Sequence, residues 1–461
     1  MLFNSFNFIF LFLPIVLIVF RLLREKAHRY AWLTLAGLVF YGSWNYKFTA
    51  VLIVSTLLTY WAGHYICRHR DDRPRMLLGL WAALLVNLGL LGFFKYFNFG
   101  IETAVGIGRL FSPGFSLPIQ NIMLPAGISF YTFKAVSYAV DLYLDRAEPA
   151  EGLLEFACYL SLFPQILAGP IERYSHMREG LGSIGETGDF HRGIWLFVLG
   201  LFKKVAVADP LAGLISPFFE QYRLASPLAA WFMALGYTYQ IYYDFSGYTD
   251  MAMGIGYMLG LKFPANFNSP YRADSIADFW RRWHITLSTW LMDYLFMPLQ
   301  VRLRSLGKAG TPISLLVVFV ICGLWHGASW TFVAWGAYHG VLLALYTLFR
   351  KRLDRLPILV RRAATFILVV AGWVIFRSSD LAMAKILLYK MFLVNTYGPF
   401  LPTFTLVMAV GAIALLTGAL KETWEYDFPE KRRYAVALAL IFVFCLLLVG
   451  AKATPFIYNQ F

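Results

Sequence analysis

The chain has 461 residues, of which 59% are hydrophobic, 18% aromatic and 14% charged, with a mean hydropathy of +0.61. A soluble domain carries roughly 45–50% apolar and about 25% charged residues; no soluble packing hides this much apolar surface, so the composition excludes a soluble globular protein and predicts an all-α, polytopic membrane protein. The net charge of +14 comes from 40 Lys and Arg against 26 Asp and Glu, and the basic residues cluster in short connections between apolar runs, as in cytoplasmic loops facing anionic headgroups, so no nucleic-acid partner is indicated.

MLFNSFNFIFLFLPIVLIVF opens the chain without the basic stretch or the small-residue cleavage site of a signal peptide, and reads as a first spanning helix. Arg21, Arg24, Lys26 and Arg29 follow it, which puts that loop in the cytoplasm and the N-terminus outside. Apolar runs at about 31–46 and 48–67 form the next pair, Arg68, Arg70, Arg73 and Arg75 mark a second cytoplasmic loop, and a further helix covers about 76–97. Later basic loops keep the same sidedness: Arg302, Arg304 and Lys308; then Arg350, Lys351, Arg352, Arg355, Arg361 and Arg362; then Lys421 with Lys431, Arg432 and Arg433. Between them lie spanning candidates near 312–327, 329–349, 363–376, 401–420 and 434–450, leaving ATPFIYNQF and the C-terminus outside. Residues 380–397, with Lys385 and Lys390 among apolar neighbours, read as an interfacial helix on the outer face.

The middle of the chain is less regular. Residues 125–143 contain Lys134 and Asp141, residues 193–217 contain Lys203, Lys204 and Asp209-Pro210, and proline and glycine interrupt FPQILAGP at 163–170. Such segments are too polar or broken to face lipid and predict re-entrant or half-helices covered by protein or water. The expectation is about eleven to thirteen crossings in a single membrane domain over residues 1–461. Cys67, Cys158, Cys322 and Cys445 lie in or at the ends of apolar runs without paired spacing, so they read as small buried hydrophobes, and no zinc or other metal site is indicated.

The candidate chemistry concentrates between residues 275 and 339. GLWHGASW, residues 323–330, places His326 in a long apolar run between Gly323 and Gly327, a small-xxx-small pair that lets another backbone approach closely. An ionisable group at membrane depth faces a protein interior or a wet cavity and marks a functional site by default. A neutral ring nitrogen there accepts a hydroxyl proton at physiological pH, so His326 is a candidate general base; a core histidine bonded between helices is the alternative. Trp325, Ser329 and Trp330 are candidate cavity-lining neighbours, the last two on the face of His326 if the helix continues.

His284 lies in FWRRWHITLSTW. Ser275 reads as a helix N-cap, Arg282 pairs with Asp278 four residues back, Trp280, His284, Leu287 and Leu291 form one stripe, and Pro298 closes the helix. Arg302 and Arg304 put this helix towards the cytoplasm, where His284 would orient a substrate arriving from inside; an aromatic interfacial helix with a satisfied histidine is the alternative. His339 repeats the G-x-x-H-G setting of His326 on another face of a continuous helix. Asp244 and Asp250, in YYDFSGYTDMAMG, sit where a spanning run breaks and either line a cavity or hold helix ends together. There is no P-loop, strand-bound G-x-G-x-x-G, HExxH or G-x-S-x-G, so ATP, nicotinamide, zinc-hydrolase and serine-hydrolase chemistry lack support.

With LPAGISFYTFKAVSYAVDLY, FPQILAGPIERY, GLFKKVAVAD, DFSGYTDMAMGIGYMLG, FPANFNSPY, FWRRWHITLSTW, GLWHGASW and FIYNQF in order, the sequence resembles the membrane-bound O-acyltransferase superfamily over nearly its whole length. Within it, the branch that acetylates alginate is nearer than the branch that D-alanylates teichoic acid. Where the family often reads WLRDYLYIPLGGNR, this sequence has WLMDYLFMPLQVRLR, with Met292 in place of arginine. The resemblance implies a helical ring with a central tunnel, His326 as the essential histidine and His284 as the second characteristic one. It also implies transfer of an acyl group, such as acetyl, from a cytoplasmic thioester donor (acetyl-CoA or an acyl-carrier protein) across a bacterial inner membrane. The acceptor would be an extracytoplasmic polysaccharide such as alginate or cellulose, reached with an SGNH-type partner, and no cofactor would be held tightly. A transporter or flippase with a buried His/Asp path, and acylation of a lipid or teichoic acid, are the other readings.

Overall fold

The computed structural model describes residues 1–185, 188–393, 401–449 and 455–457. Its described residues form helices and connecting loops, with no β-strand among them, and group into two compact units, Met1–Phe197 with Met251–Pro264 and Val198–Asp250 with Ala265–Phe461.

The first unit holds α1 (Leu13–Leu22), α2 (Lys26–Gly42), α3 (Tyr46–Arg68), α4 (Arg73–Leu91), α5 (Phe97–Phe111), α6 (Ile128–Tyr143), α7 (Leu153–Ser161), α8 (Phe163–Ile166) and α9 (Tyr174–Gly182). Lipid gives apolar helices no hydrophobic reason to associate, so buried polar side chains and close packing join them. Between α3 and α4, Ser55 donates to Asn87 Oδ1 at 2.6 Å and Asn87 Nδ2 donates to Thr59 Oγ1 at 2.8 Å. The polar segment 125–143 does avoid lipid: nearly every residue of α6 is buried, and Lys134 Nζ donates to the Tyr159 carbonyl and to Gln165 Oε1. Gly127, at φ +71°, starts α6 directly on the Ile166 carbonyl of the proline-broken α8, where no side chain fits.

In chain order α10 (Phe190–Phe202), α11 (Asp209–Glu220) and α12 (Pro227–Leu259) follow. Within residues 193–217, expected as a re-entrant or half-helix, a π-helical segment, Lys203–Ala208, carries α10 into α11 with Pro210 in the first turn, where its missing N–H costs nothing. The run around Asp244 and Asp250 does not break either, since both lie inside the 33-residue α12.

The second unit continues with α13 (Ile276–Arg282), α14 (Ile285–Leu291), α15 (Met297–Arg302), α16 (Gly310–His326), α17 (Trp330–Leu353), α18 (Ile358–Arg377), α19 (Leu381–Phe392), α20 (Phe404–Ala419) and α21 (Arg432–Leu448). Pro298 does not close a helix; it lies in the first turn of α15, reached through a π-helical segment at Met292–Phe296. Of residues 380–397, expected as an interfacial helix, Leu381–Phe392 form α19, N-capped by Asp380; residues 394–397 lie outside the described residues.

Six helical stretches among the described residues are long and apolar enough to cross a membrane: Tyr46–Arg68, Arg73–Phe111, Arg304–His326, Trp330–Leu353, Ile358–Arg377 and Phe404–Glu425. Other expected crossings are helices too, but α2 and α21 have 17 residues each, short of the ~20 a bilayer core requires. The protein is an all-α, polytopic membrane protein.

α16 and α17 form a hairpin in which backbone touches backbone. A Cβ at Gly323 would overlap the Phe332 carbonyl oxygen, and one at Gly336 would overlap the Phe319 carbonyl oxygen. Overpacking a tight contact costs about 1–3 kcal/mol. Gly336→Ala is therefore expected to lower the melting temperature of the detergent-solubilised protein, while Gly411→Ala, with nothing within 4 Å of its added carbon, leaves it unchanged.

Candidate active site

His326 is the last residue of α16. Gly327 follows in an extended conformation (φ −165°, ψ 152°), so the helix ends there and GLWHGASW does not present one helical face. Ser329 instead N-caps α17 by accepting from the Thr331 amide, and Trp330 is 52% exposed. These two expected lining residues thus serve the hairpin turn and the surface. Trp325 remains beside the histidine, with ring centroids 4.9 Å apart.

His326 is enclosed edge-on by aromatic rings from three helices: Trp325 of its own helix, Trp335 of α17 at 5.0 Å and Phe376 of α18 at 5.2 Å. His339 lies one helical turn beyond Trp335, their rings 5.0 Å apart. A continuous helix would separate His326 from His339; the hairpin folds both onto Trp335. Trp280 of α13 donates its indole N–H to His339 Nδ1 at 3.3 Å, which leaves the proton of the neutral ring on Nε2, against Gly372.

His284 departs furthest from expectation. Ser275 caps α13 by accepting from the Asp278 amide at 3.1 Å, and Arg282 pairs with Asp278 at 2.8 Å, as the spacing predicts. The helix then stops: His284 has φ +43°, ψ 55°, between α13 and α14, so the stripe through Trp280, His284 and Leu287 does not exist. A left-handed non-glycine residue costs of order 1–3 kcal/mol and persists where its surroundings over-determine it. Asn266 does this, its carbonyl accepting from the Ile285 amide at 2.9 Å and its Oδ1 from the Thr286 hydroxyl at 2.6 Å. The break turns the imidazole inward onto Phe245 at 4.7 Å and Trp325 at 6.0 Å. His284 lies outside the six spanning helices, and burial holds its ring below the usual pKa range, hence neutral.

A chain of ring contacts therefore runs His284–Trp325–His326–Trp335–His339 within the second unit. Trp373 stacks on Trp335 at 6.1 Å and 19°. Three buried donors in this assembly, Trp335 Nε1, Trp373 Nε1 and His339 Nε2, have no hydrogen-bond partner among the described residues. Trp335 and Trp373 carry no sequence signal beyond aromatic residues in an apolar run.

Asp244 and Asp250 form a separate ionic cluster. Lys204 donates to Asp244 and pairs with Asp209 at 2.9 Å, and Lys203 pairs with Asp250 at 2.7 Å and lies 3.9 Å from Glu422. Asp244 also accepts from the Ile457 amide at 2.7 Å. The carboxylates thus hold segments together, the second of the two expected roles. A cavity of about 310 Å³ adjoins this cluster, lined by Lys203, Tyr242, Tyr243, Ser269, Lys421 and Glu422 among others. Asp250 is not in that lining. Among the described residues no group of three or more His, Cys, Asp or Glu side chains is placed to hold a metal ion.

The profile of the MBOAT, membrane-bound O-acyltransferase family, matches residues 150–379, which contain His284, His326 and His339 as well as Asp244 and Asp250. The chain is 36% identical over 519 residues to the probable alginate O-acetylase AlgI of Azotobacter vinelandii, with 100% of each chain covered. It is 35% identical over 423 residues to the peptidoglycan O-acetyltransferase of Helicobacter pylori, covering 83% of this chain and 78% of that one. It is 31% identical over 246 residues to the teichoic acid D-alanyltransferase of Bacillus subtilis, covering 51% and 62%.

The donor inventory yields a differential test. Trp335→Phe and Trp280→Phe remove similar ring volume, but only the second strands a buried acceptor, His339 Nδ1. Leaving a buried group unsatisfied costs about 1–3 kcal/mol. Trp280→Phe is expected to be the more destabilised of the two by about that amount, read as a difference in denaturation midpoint in the same detergent.

Proposed function

The chain belongs to the membrane-bound O-acyltransferase family and is an acyltransferase, and on that premise we propose that His326 is the general base that takes the proton of an acceptor hydroxyl as an acyl group leaves a thioester. The observation that supports this is the buried assembly around His326, in which two further histidines join the ring contacts and three N–H donors lack an acceptor among the described residues. In the proposed step the hydroxyl oxygen attacks the thioester carbonyl carbon as its proton passes to the imidazole; the C–O bond forms, the C–S bond breaks, and the proton leaves with the thiolate. Indole N–H groups aimed at the carbonyl oxygen would stabilise the charge that develops there, an effect worth ~10²–10³-fold per donor where measured.

The finer reading follows from the relatives and from the charge pattern. Two of the three relatives carry names of O-acetylation on carbohydrate polymers, alginate and peptidoglycan, so we assign an acetyl group and an extracytoplasmic polysaccharide hydroxyl, with alginate first. The positive-inside bias supports a cytoplasmic side for the basic loops around Arg73, Lys308 and Arg355 with both termini outside, and with that orientation we assign a cytoplasmic donor, acetyl-CoA or an acetylated carrier protein. Delivery beyond the membrane of a bacterial inner-membrane protein calls for a soluble acceptor-side partner, an SGNH-type transferase.

His326→Ala is expected to abolish label transfer from thioester to acceptor at every donor concentration, because loss of a positioned base costs ~10²–10⁴-fold. The variant should still insert and elute as the parent does; full activity in purified, donor-supplied His326→Ala protein would sink the assignment.

His284 is assigned to donor orientation. His284→Asn, which tolerates the left-handed backbone, is expected to raise the donor KM while retaining turnover at saturating donor. Equal losses of kcat in the two variants would instead place both histidines in the chemical step.

A further inference from the structure

A further cavity in this unit has no histidine in its lining. It occupies about 230 Å³ where α17 ends and α18 begins, and Leu342, Leu345, Leu353, Leu356 and Leu368 line it together with Arg361. Both helices are long and apolar enough to cross a membrane, so their joined ends stand where hydrocarbon gives way to headgroups. The connection is strongly basic: Arg350, Lys351, Arg352, Arg355, Arg361 and Arg362 fall within residues 350–362, against the single carboxylate of Asp354.

Internal pairing does not use up that charge. Asp354 accepts from Arg350 Nε at 3.3 Å and from the Tyr346 hydroxyl at 3.0 Å, and lies 3.8 Å from Arg361 Nη1. Arg361 Nη1 also pairs with Asp274 at 3.0 Å, but its Nε is buried with no hydrogen-bond partner among the described residues. A guanidinium edge with a spare donor in the lining of a leucine-rich slot, on a connection that carries five further basic residues, presents two complementary chemistries at one place.

We propose that this slot binds an anionic phospholipid of the surrounding bilayer, one acyl chain along the leucines and its phosphate on Arg361. Charge complementarity selects the headgroup: basic pockets at the ends of membrane helices attract anionic lipid with about 1 kcal/mol per Lys or Arg, and guanidinium matches phosphate oxygens in geometry. The apolar lining selects a lipid over a free phosphate, which has nothing to place there. Asp274, the other partner of Arg361, directly precedes the N-cap of α13, the helix that ends two residues before His284. Bound lipid thus abuts the start of the segment that carries that histidine.

The test is native mass spectrometry of the full chain in detergent, with phosphatidylglycerol and phosphatidylcholine of identical acyl chains supplied in equal amounts. Phosphatidylglycerol adducts are expected to exceed phosphatidylcholine adducts and to fall roughly fivefold in Arg361→Gln. Leu345→Trp, which fills the slot and keeps every charge, is expected to lose them as well and carries the test should Arg361→Gln not fold. Equal retention of the two lipids would overturn the proposal, as would unchanged phosphatidylglycerol retention in Leu345→Trp. Displacement of the lipid by millimolar inorganic phosphate alone would show a phosphate site in which the slot plays no part, and would overturn it too.

Discussion

Backbone contact between α16 and α17 is the constraint on which the candidate site depends. Helices in lipid associate through close packing rather than through expulsion of water, and here Gly323 and Gly336 let each backbone press on a carbonyl of the other helix. Both histidines of the hairpin stand three residues beyond such a glycine, His326 after Gly323 and His339 after Gly336. Three residues is close to one turn, so the seam that joins the helices also fixes both imidazoles beside it. Trp335, adjacent to Gly336, then fills the space between them. A bulkier residue at either glycine would separate the helices and withdraw His326 from Trp335 before touching either ring.

The ionic cluster does a different physical task. Two lysines and four carboxylates, counting Asp209 and Glu422, are buried or nearly so in a unit rich in spanning helices. Paired buried charges contribute little net stability, whereas removing one partner costs about 3–5 kcal/mol because the other is left uncompensated. Consecutive Lys203 and Lys204 reach two aspartates six residues apart on α12. Sliding α12 by one turn would break both pairs together, so the cluster specifies register.

Much of this could be read from residues alone, and the failures have physical causes. Composition fixes the membrane class, and G-x-x-H-G spacing singles out His326 and His339. The Ser275 cap and the Arg282–Asp278 pair follow from local spacing and are present. The left-handed turn at His284 is not local: it is imposed by Asn266, eighteen residues upstream, through bonds to the chain just beyond the histidine. Helical periodicity carried through that point puts the side chain on a stripe that does not form. Trp330 misled for a similar reason, since the glycine after His326 ends the helix and the next helix turns that ring outward. Asp244 and Asp250 looked like a break because carboxylates are unfavourable in a spanning run. Lys203 and Lys204, forty or more residues earlier, make them tolerable without one.

Satisfaction of polar groups separates the two polar centres of this unit. In the ionic cluster each lysine has a carboxylate within ion-pair distance, which is the state expected of structure whose purpose is to hold. In the aromatic assembly, Trp335, Trp373 and His339 each bury an N–H with no protein acceptor among the described residues. Buried donors left this way cost about 1–3 kcal/mol each, and folded proteins rarely carry several side by side. Phenylalanine at 335 and 373 would fill space without that penalty. Three such donors packed into the ring assembly that encloses His326 set that assembly apart from the ionic cluster, where the charged groups answer one another.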